Sequence, residues 1–198
     1  VHQALDLVGL GGGPGPARGT LPSQMEVSGF EGKGLVNSYT KGDGTTGTLT
    51  SPPFQIARKH INFLIGGGGH EGKTCMNLLV DGKVVRTAVG PNTEPGGSEA
   101  LDWHSWDVSD LAGKTAVIQI VDRATGGWGH INIDQIVQSD RKMGSVTSIR
   151  DLPIDKPWLH LPVKSGAPKR LMRFVVGGRK ARQFEIEQLL VLASTEVV

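Results

Sequence analysis

Hydrophobic and polar positions alternate with a period of two along most of this chain. Such runs occur at Leu35–Tyr39, Thr48–Ser51, Phe54–Ile56, Ile61–Ile65, Thr74–Val80, Lys83–Val89, Ser105–Val108, Ala116–Val121 and His130–Val137. Successive side chains of a strand point to opposite faces, so the alternation predicts strands. Gly and Pro punctuate almost every gap between the runs. Asp81-Gly82, set between two apolar runs, predicts a hairpin turn of type I′. No window carries a 3.6-residue apolar stripe longer than two turns, and Asp107–Lys114 offers one capped turn at most. About nine short strands at turn spacing predict an all-β fold, a two-sheet sandwich of jelly-roll type.

The pattern divides the chain. Residues 1–24 are an irregular Gly/Pro-rich lead-in, and Gly11-Gly12-Gly13-Pro14-Gly15-Pro16 cannot hold a helix or a central strand. Residues 25–140 carry the sandwich, and 141–153 read as a linker. Residues 154–198 read as a truncated second β domain, with Trp158–Val163 at its start and a hairpin from Phe174–Arg179 and Gln183–Ile186. A hairpin alone buries too little surface to be stable. Leu189–Val198 fits either an edge strand or a short helix.

Composition narrows the class. A chain of 198 residues suits one domain plus part of a second, and 29 glycines with 11 prolines imply many turns. The single cysteine, Cys75, excludes an internal disulfide framework and reads as a small buried hydrophobe. No apolar run approaches a membrane span, so no membrane partner is expected. The chain starts with valine and shows no signal peptide, which reads as a mature or excised fragment. The net charge of +2 conceals an asymmetry: residues 1–140 hold 10 Lys/Arg against 14 Asp/Glu, and residues 141–198 hold 11 against 5. The mildly acidic first part gives no reason to expect nucleic acid. The basic tail (Lys169, Arg170, Arg173, Arg179, Lys180, Arg182) suits either polyanions or a solvated strand surface.

The densest candidate chemistry lies in Asp122-Arg123-Ala124-Thr125-Gly126-Gly127-Trp128-Gly129-His130, between two predicted strands. Carboxylate and guanidinium groups bind hydroxyls, and an indole face packs the C–H side of a sugar ring. Glycines flanking Trp128 permit positive φ and leave the indole uncrowded. The alternative is a β-turn whose tryptophan caps the core. Asp122, Asp102, Glu99 and Arg86 are the best polar binders, with strand-end salt bridging as the alternative. Trp128 is expected on the ligand side, Trp106 in the core, and Trp103 in either place. His130 and His70 lack the paired spacing of metal ligands, so hydrogen bonding is the expected role. Asp134, inside the last strand, caps a bulge or binds Ca²⁺; no other cofactor or metal is expected. Gly67–Thr74 matches the phosphate-cradling pattern G-x-x-x-x-G-K-[ST], yet that loop must open a helix, and Cys75–Val80 followed by Asp81-Gly82 reads as a strand and hairpin turn.

An ordered set of motifs extends this reading. Asn37-Ser38-Tyr39, Gly47–Phe54, Ile61–Gly68, Asn77–Gly82, Trp106-Asp107-Val108-Ser109 and Gly127–Asp134 together make the segment Gly34–Asp140 resemble the levan-binding modules of carbohydrate-binding family 66. These β-sandwiches are attached to fructan-cleaving glycoside hydrolases of family 32, such as levanases. The resemblance implies non-catalytic binding of terminal fructose units of levan-type fructan; on the chemistry above, Arg86, Glu99, Asp102, Asp122, Trp128 and His130 are the expected binding residues. It also implies an attached or neighbouring hydrolase domain, an extracellular or periplasmic location and a monomer. Residues 154–198 resemble the start of the small β domain preceding such a catalytic domain. The family's acidic, aromatic first strand has Ala4–Val8 as its only candidate here. No catalytic carboxylate signature is present: there is no Asn-Asp-Pro-Asn run, and Arg150-Asp151-Leu152-Pro153 carries an extra leucine. The alternatives are a fragment of a family 32 hydrolase and a structural accessory sandwich without a ligand.

Overall fold

The computed structural model describes residues 3–4, 15–144, 151–153, 155–158, 161, 165–166 and 169–187. The chain forms two compact units, Val1–Val146 and Thr147–Val198.

The first unit contains β1 (Gln3–Ala4), β2 (Gly15–Ala17), β3 (Leu35–Asn37), β4 (Gly47–Thr50), β5 (Phe54–Gln55) and β6 (His60–Gly67). It continues with β7 (Thr74–Val80), β8 (Lys83–Ala88), β9 (Asp102–Asp107), β10 (Thr115–Asp122) and β11 (Ile131–Ser139). One sheet runs β2-β3-β11-β6-β9, with β1 also on β11; the other runs β4-β10-β7-β8, with β5 also on β10. Every pairing is antiparallel. The strands follow the sequence alternation, with ends shifted by a few residues. The predicted turn after Val108 is a single 3₁₀ turn, Ser109–Leu111.

The two sheets close on one core, which makes the unit an all-β sandwich. Phe63, Ile65, Ile131, Ile133 and Trp106 from the first sheet meet Met76, Leu78, Ile118 and Ile120 from the second. Each set recurs at every second position, as a pleated strand with one inward face requires. β6 is buried almost throughout because its other face is covered too: Leu64 packs with Val27, Leu35 and Leu101. Cys75 is buried, as expected, and burial pushes its thiol pKa up. Asp81 and Gly82 both adopt positive φ, 52° and 73°, so the β7–β8 turn has the primed geometry expected.

The Gly/Pro-rich lead-in contributes two short strands. β2 contains Pro16 and lies at the edge of its sheet, where a missing N–H leaves no ladder bond unmade. Of the candidate first strand, Ala4 lies in β1, and residues 5–8 lie outside the described residues.

In the second unit, β12 (Lys169–Val176) and β13 (Arg179–Glu187) pair antiparallel around Gly177-Gly178, both at positive φ. Arg173, Arg179 and Arg182 are exposed on this hairpin. Trp158 is 80% exposed. Most of the predicted Trp158–Val163 strand and all of Leu189–Val198 fall outside the described residues.

Candidate functional site

Four loops converge at one end of the sandwich. β10 ends at Asp122, the chain crosses residues 123–130, and β11 begins at Ile131. This crossing is tied to the loop after β6 by Gly68 N–H donating to His130 O (2.7 Å) and Arg123 N–H donating to Lys73 O (2.7 Å). It is tied to the loop after β3 by Ile131 N–H donating to Ser38 Oγ (2.8 Å). It is tied to the loop before β9 by Trp128 Nε1–H donating to Glu94 O (3.0 Å). Asn92 shapes that last loop, with Nδ2 donating to Gly67 O and Ser98 O.

At the centre sits His130, buried between two carboxylates. Its Nδ1 lies 2.6 Å from Asp43 Oδ1, and its Nε2 lies 3.0 and 2.9 Å from the two oxygens of Glu99. Asn132 Nδ2 donates to Glu99 Oε2 (2.8 Å). Tyr39 meets the imidazole edge-on at 4.9 Å, and Trp128 stacks on it at 5.7 Å. Burial alone would lower the His130 pKa, but the hydrogen bonds and charges of Glu99 and Asp43 outweigh it and raise the pKa. The Asp43 side chain is 32% exposed and is the solvent-facing member of the group.

Asp122 is different. It is 0% exposed, and neither carboxylate oxygen has a hydrogen-bond partner. Burial pushes its pKa up to about 6; the Ser38 hydroxyl and His130 pull it down, and Asp43 adds to the rise. The Ser38 hydroxyl is itself engaged with the Ile131 backbone. Across the sheet Asp122 pairs with Thr74, whose buried hydroxyl also has no partner.

Four of the six expected binding residues thus gather here: Glu99, Asp122, Trp128 and His130. The expectation of an uncrowded, exposed Trp128 is corrected, since the residue is 8% exposed. Trp128 itself holds φ 60°; of the flanking glycines, Gly129 serves close packing and Gly127 faces open space. A Cβ on Gly129 would lie 2.7 Å from the carbonyl oxygens of Asp43 and Gly126, and one on Gly97 would lie 2.7 Å from the indole. The indole therefore roofs His130, not an open platform. Arg86 is not in the group. It projects from β8, and its guanidinium donates to Asp107 O (3.1 Å) and pairs with Asp110 (2.6 Å). Asp102 begins β9 and accepts from Trp103 N–H (2.9 Å). Asp134 stands at the register break of β11 and accepts from Glu31 N–H (2.8 Å), which ties a distant loop to that break. Among the described residues no group of three His, Cys, Asp or Glu side chains could hold a metal ion.

The phosphate-loop pattern resolves in the same region. Residue 74 opens β7, so the loop feeds a strand and no helix N-terminus faces its amides. Gly67, Gly68 and Gly69 answer packing: a Cβ on Gly68 would lie 1.9 Å from the Trp128 carbonyl oxygen. His70 Nε2 bonds Gly127 O at 3.0 Å, joining the two loops.

Fold and site together define a β-sandwich with a buried charge network under one cluster of loops. No family model matches the chain. Over 127 residues, 64% of its length, the chain is 50% identical to an Aspergillus rugulosus protein named "Putative glycosyl hydrolase ecdE", and it spans only 17% of that protein. Among solved structures it is similar to a family 35 carbohydrate binding module from an environmental isolate, with TM-score 0.38 and 16% identity. That likeness covers 73% of this chain and 100% of the other, and is too distant to transfer residues.

Proposed function

We propose that residues 25–140 form a non-catalytic carbohydrate-binding module that directs a glycoside hydrolase to terminal fructose units of levan-type fructan. The observation that carries the reading is the Asp43–His130–Glu99 array at the loop end. Asp43 is locked by His130 through one oxygen, which leaves the rest of its carboxylate toward solvent as a fixed acceptor for sugar hydroxyls. A carboxylate held by a buried network loses little side-chain freedom on binding, so the hydroxyl it selects is specified geometrically. Glu94 and Arg123, both exposed, lie on two of the converging loops. The buried members act behind Asp43: Glu99 and Asn132 orient the imidazole, and Trp128 covers it. The similarity to part of a longer protein bearing a glycosyl hydrolase name supports a tethered role. Tethering multiplies a weak single-site affinity through effective concentration. It equally favours the second reading, that the chain is a piece of a fructan hydrolase.

Calorimetry with levan oligosaccharides tests the proposal. The chain should bind them, and Asp43→Ala should weaken binding at least about tenfold, the loss expected for hydrogen bonds to a charged group. Unchanged affinity in Asp43→Ala would remove the loop end as the site.

A further inference from the structure

The long side of the sandwich carries a second concave surface, between β8 and β9, the terminal strands of their two sheets. Here the sheets do not close on each other, and a groove of about 410 Å³ opens onto the core. Its floor is aromatic: Phe63 and Trp106 lie 4.7 Å apart, and His104 stacks on Phe63 at 6.2 Å. Ala88 and Val89 form one wall. Glu71 reaches the groove from the loop preceding β7. Near the 3₁₀ turn, Arg86 crosses from β8 to Asp107 O and Asp110 and joins the two sheets.

We propose that this groove is a second carbohydrate subsite, which takes one neutral glycosyl unit of a chain. The inference rests on the carbohydrate-binding reading for its ligand class only. A sugar ring offers an apolar C–H face and a rim of hydroxyls that both donate and accept. The groove offers the complement. Its floor is apolar, closed by the buried Phe63 and Trp106, and its exposed rim holds a carboxylate and an imidazole. Burial lowers the His104 pKa, against the raising effect of Asp102, so the ring is neutral and presents one donor and one acceptor. Glu71 repels an anionic ligand, and an alkyl chain would leave the rim groups without partners. Two subsites on one module raise affinity for a polymer over a monosaccharide without strengthening either contact.

The test is an amide chemical-shift titration of the whole chain with fructose, levan oligosaccharides and a panel of neutral hexoses. Wild type should show shifts at Thr87, Ala88, His104 and Ser105, and Asp43→Ala should keep them. The double variant Glu71→Ala/His104→Ala, altering two exposed side chains, should weaken these shifts about tenfold and leave those of the 123–130 loop. If groove amides respond to another hexose but not to fructan, the groove stands and the fructan reading falls. If fructan moves only the loop-end amides, the fructan reading stands and the groove is overturned. Groove amides unmoved by every sugar likewise overturn it.

Discussion

His130 and Asp122 make the stability of the sandwich depend on pH in one direction. The His130 pKa is raised above its ordinary value, so the proton favours the folded state. That contribution is complete below about pH 6.5 and is lost as pH rises through the folded-state pKa. The Asp122 carboxyl, raised from 3.8 to about 6, also favours the folded state when protonated. Its contribution is complete below about pH 4 and is lost as pH climbs through about 6. The two add, so unfolding free energy should fall from pH 5 to pH 8, with Asp122 alone supplying up to about 3 kcal/mol between its limits. Denaturant unfolding of wild type and Asp122→Asn at both pH values checks this. Asp122→Asn should flatten the dependence and stabilise the chain at pH 8; a wild type more stable at pH 8 than at pH 5 contradicts it. Trp128→Ala should cost about 3–5 kcal/mol, the loss of a core aromatic, because the indole is buried and hydrogen-bonded. A melting temperature within a few degrees of wild type would return Trp128 to the surface. Asp43 could not be found in the sequence. Its partner lies 87 positions away, and Lys41-Gly42-Asp43-Gly44 reads locally as any surface turn. The sequence left Trp128 open between a ligand-side residue and a core cap, and what decides for burial is backbone distant in sequence, around Gly97 and Glu94.

At the scale of elements, period-two alternation identified the strands because each inner face contributes to one core. The order of strands in the sheets was not legible. β10 lies between β4 and β7, and β11 lies between β3 and β6, pairings fixed by contacts far apart in sequence. Asp81-Gly82 was legible since positive φ at two adjacent positions leaves a local signature. The loop after β6 shows how one composition serves two purposes. Gly72 has φ +73° with open space around it, whereas Gly68 is pressed on the Trp128 carbonyl. Gly72→Ala should cost about 1–2 kcal/mol, the penalty of a left-handed residue. Gly68→Ala must displace backbone, so it should cost about 3 kcal/mol or more and shift the His130 resonances. Thermal denaturation of the pair decides this, and equal losses would mean that the two loops are not in contact.

At the scale of the molecule, the two units differ in charge and in what is described of them. The sandwich has two covered sheets and a continuous core, while the described part of Thr147–Val198 is chiefly one hairpin. Among the described residues no helix is long and apolar enough to cross a membrane. The charge asymmetry was legible by counting, and so was the all-β class. The role proposed for Asp43 was not legible, because it depends on where one partly exposed carboxylate is held and not on any contiguous motif. Affinity electrophoresis of the whole chain through gels containing levan or inulin, beside an assay for released reducing sugar, tests the central claim most directly. Wild type should be retarded by levan, Asp43→Ala should be retarded much less, and neither should release sugar. Unretarded migration of the wild type, or hydrolysis by the pure chain, would contradict a non-catalytic fructan-binding module.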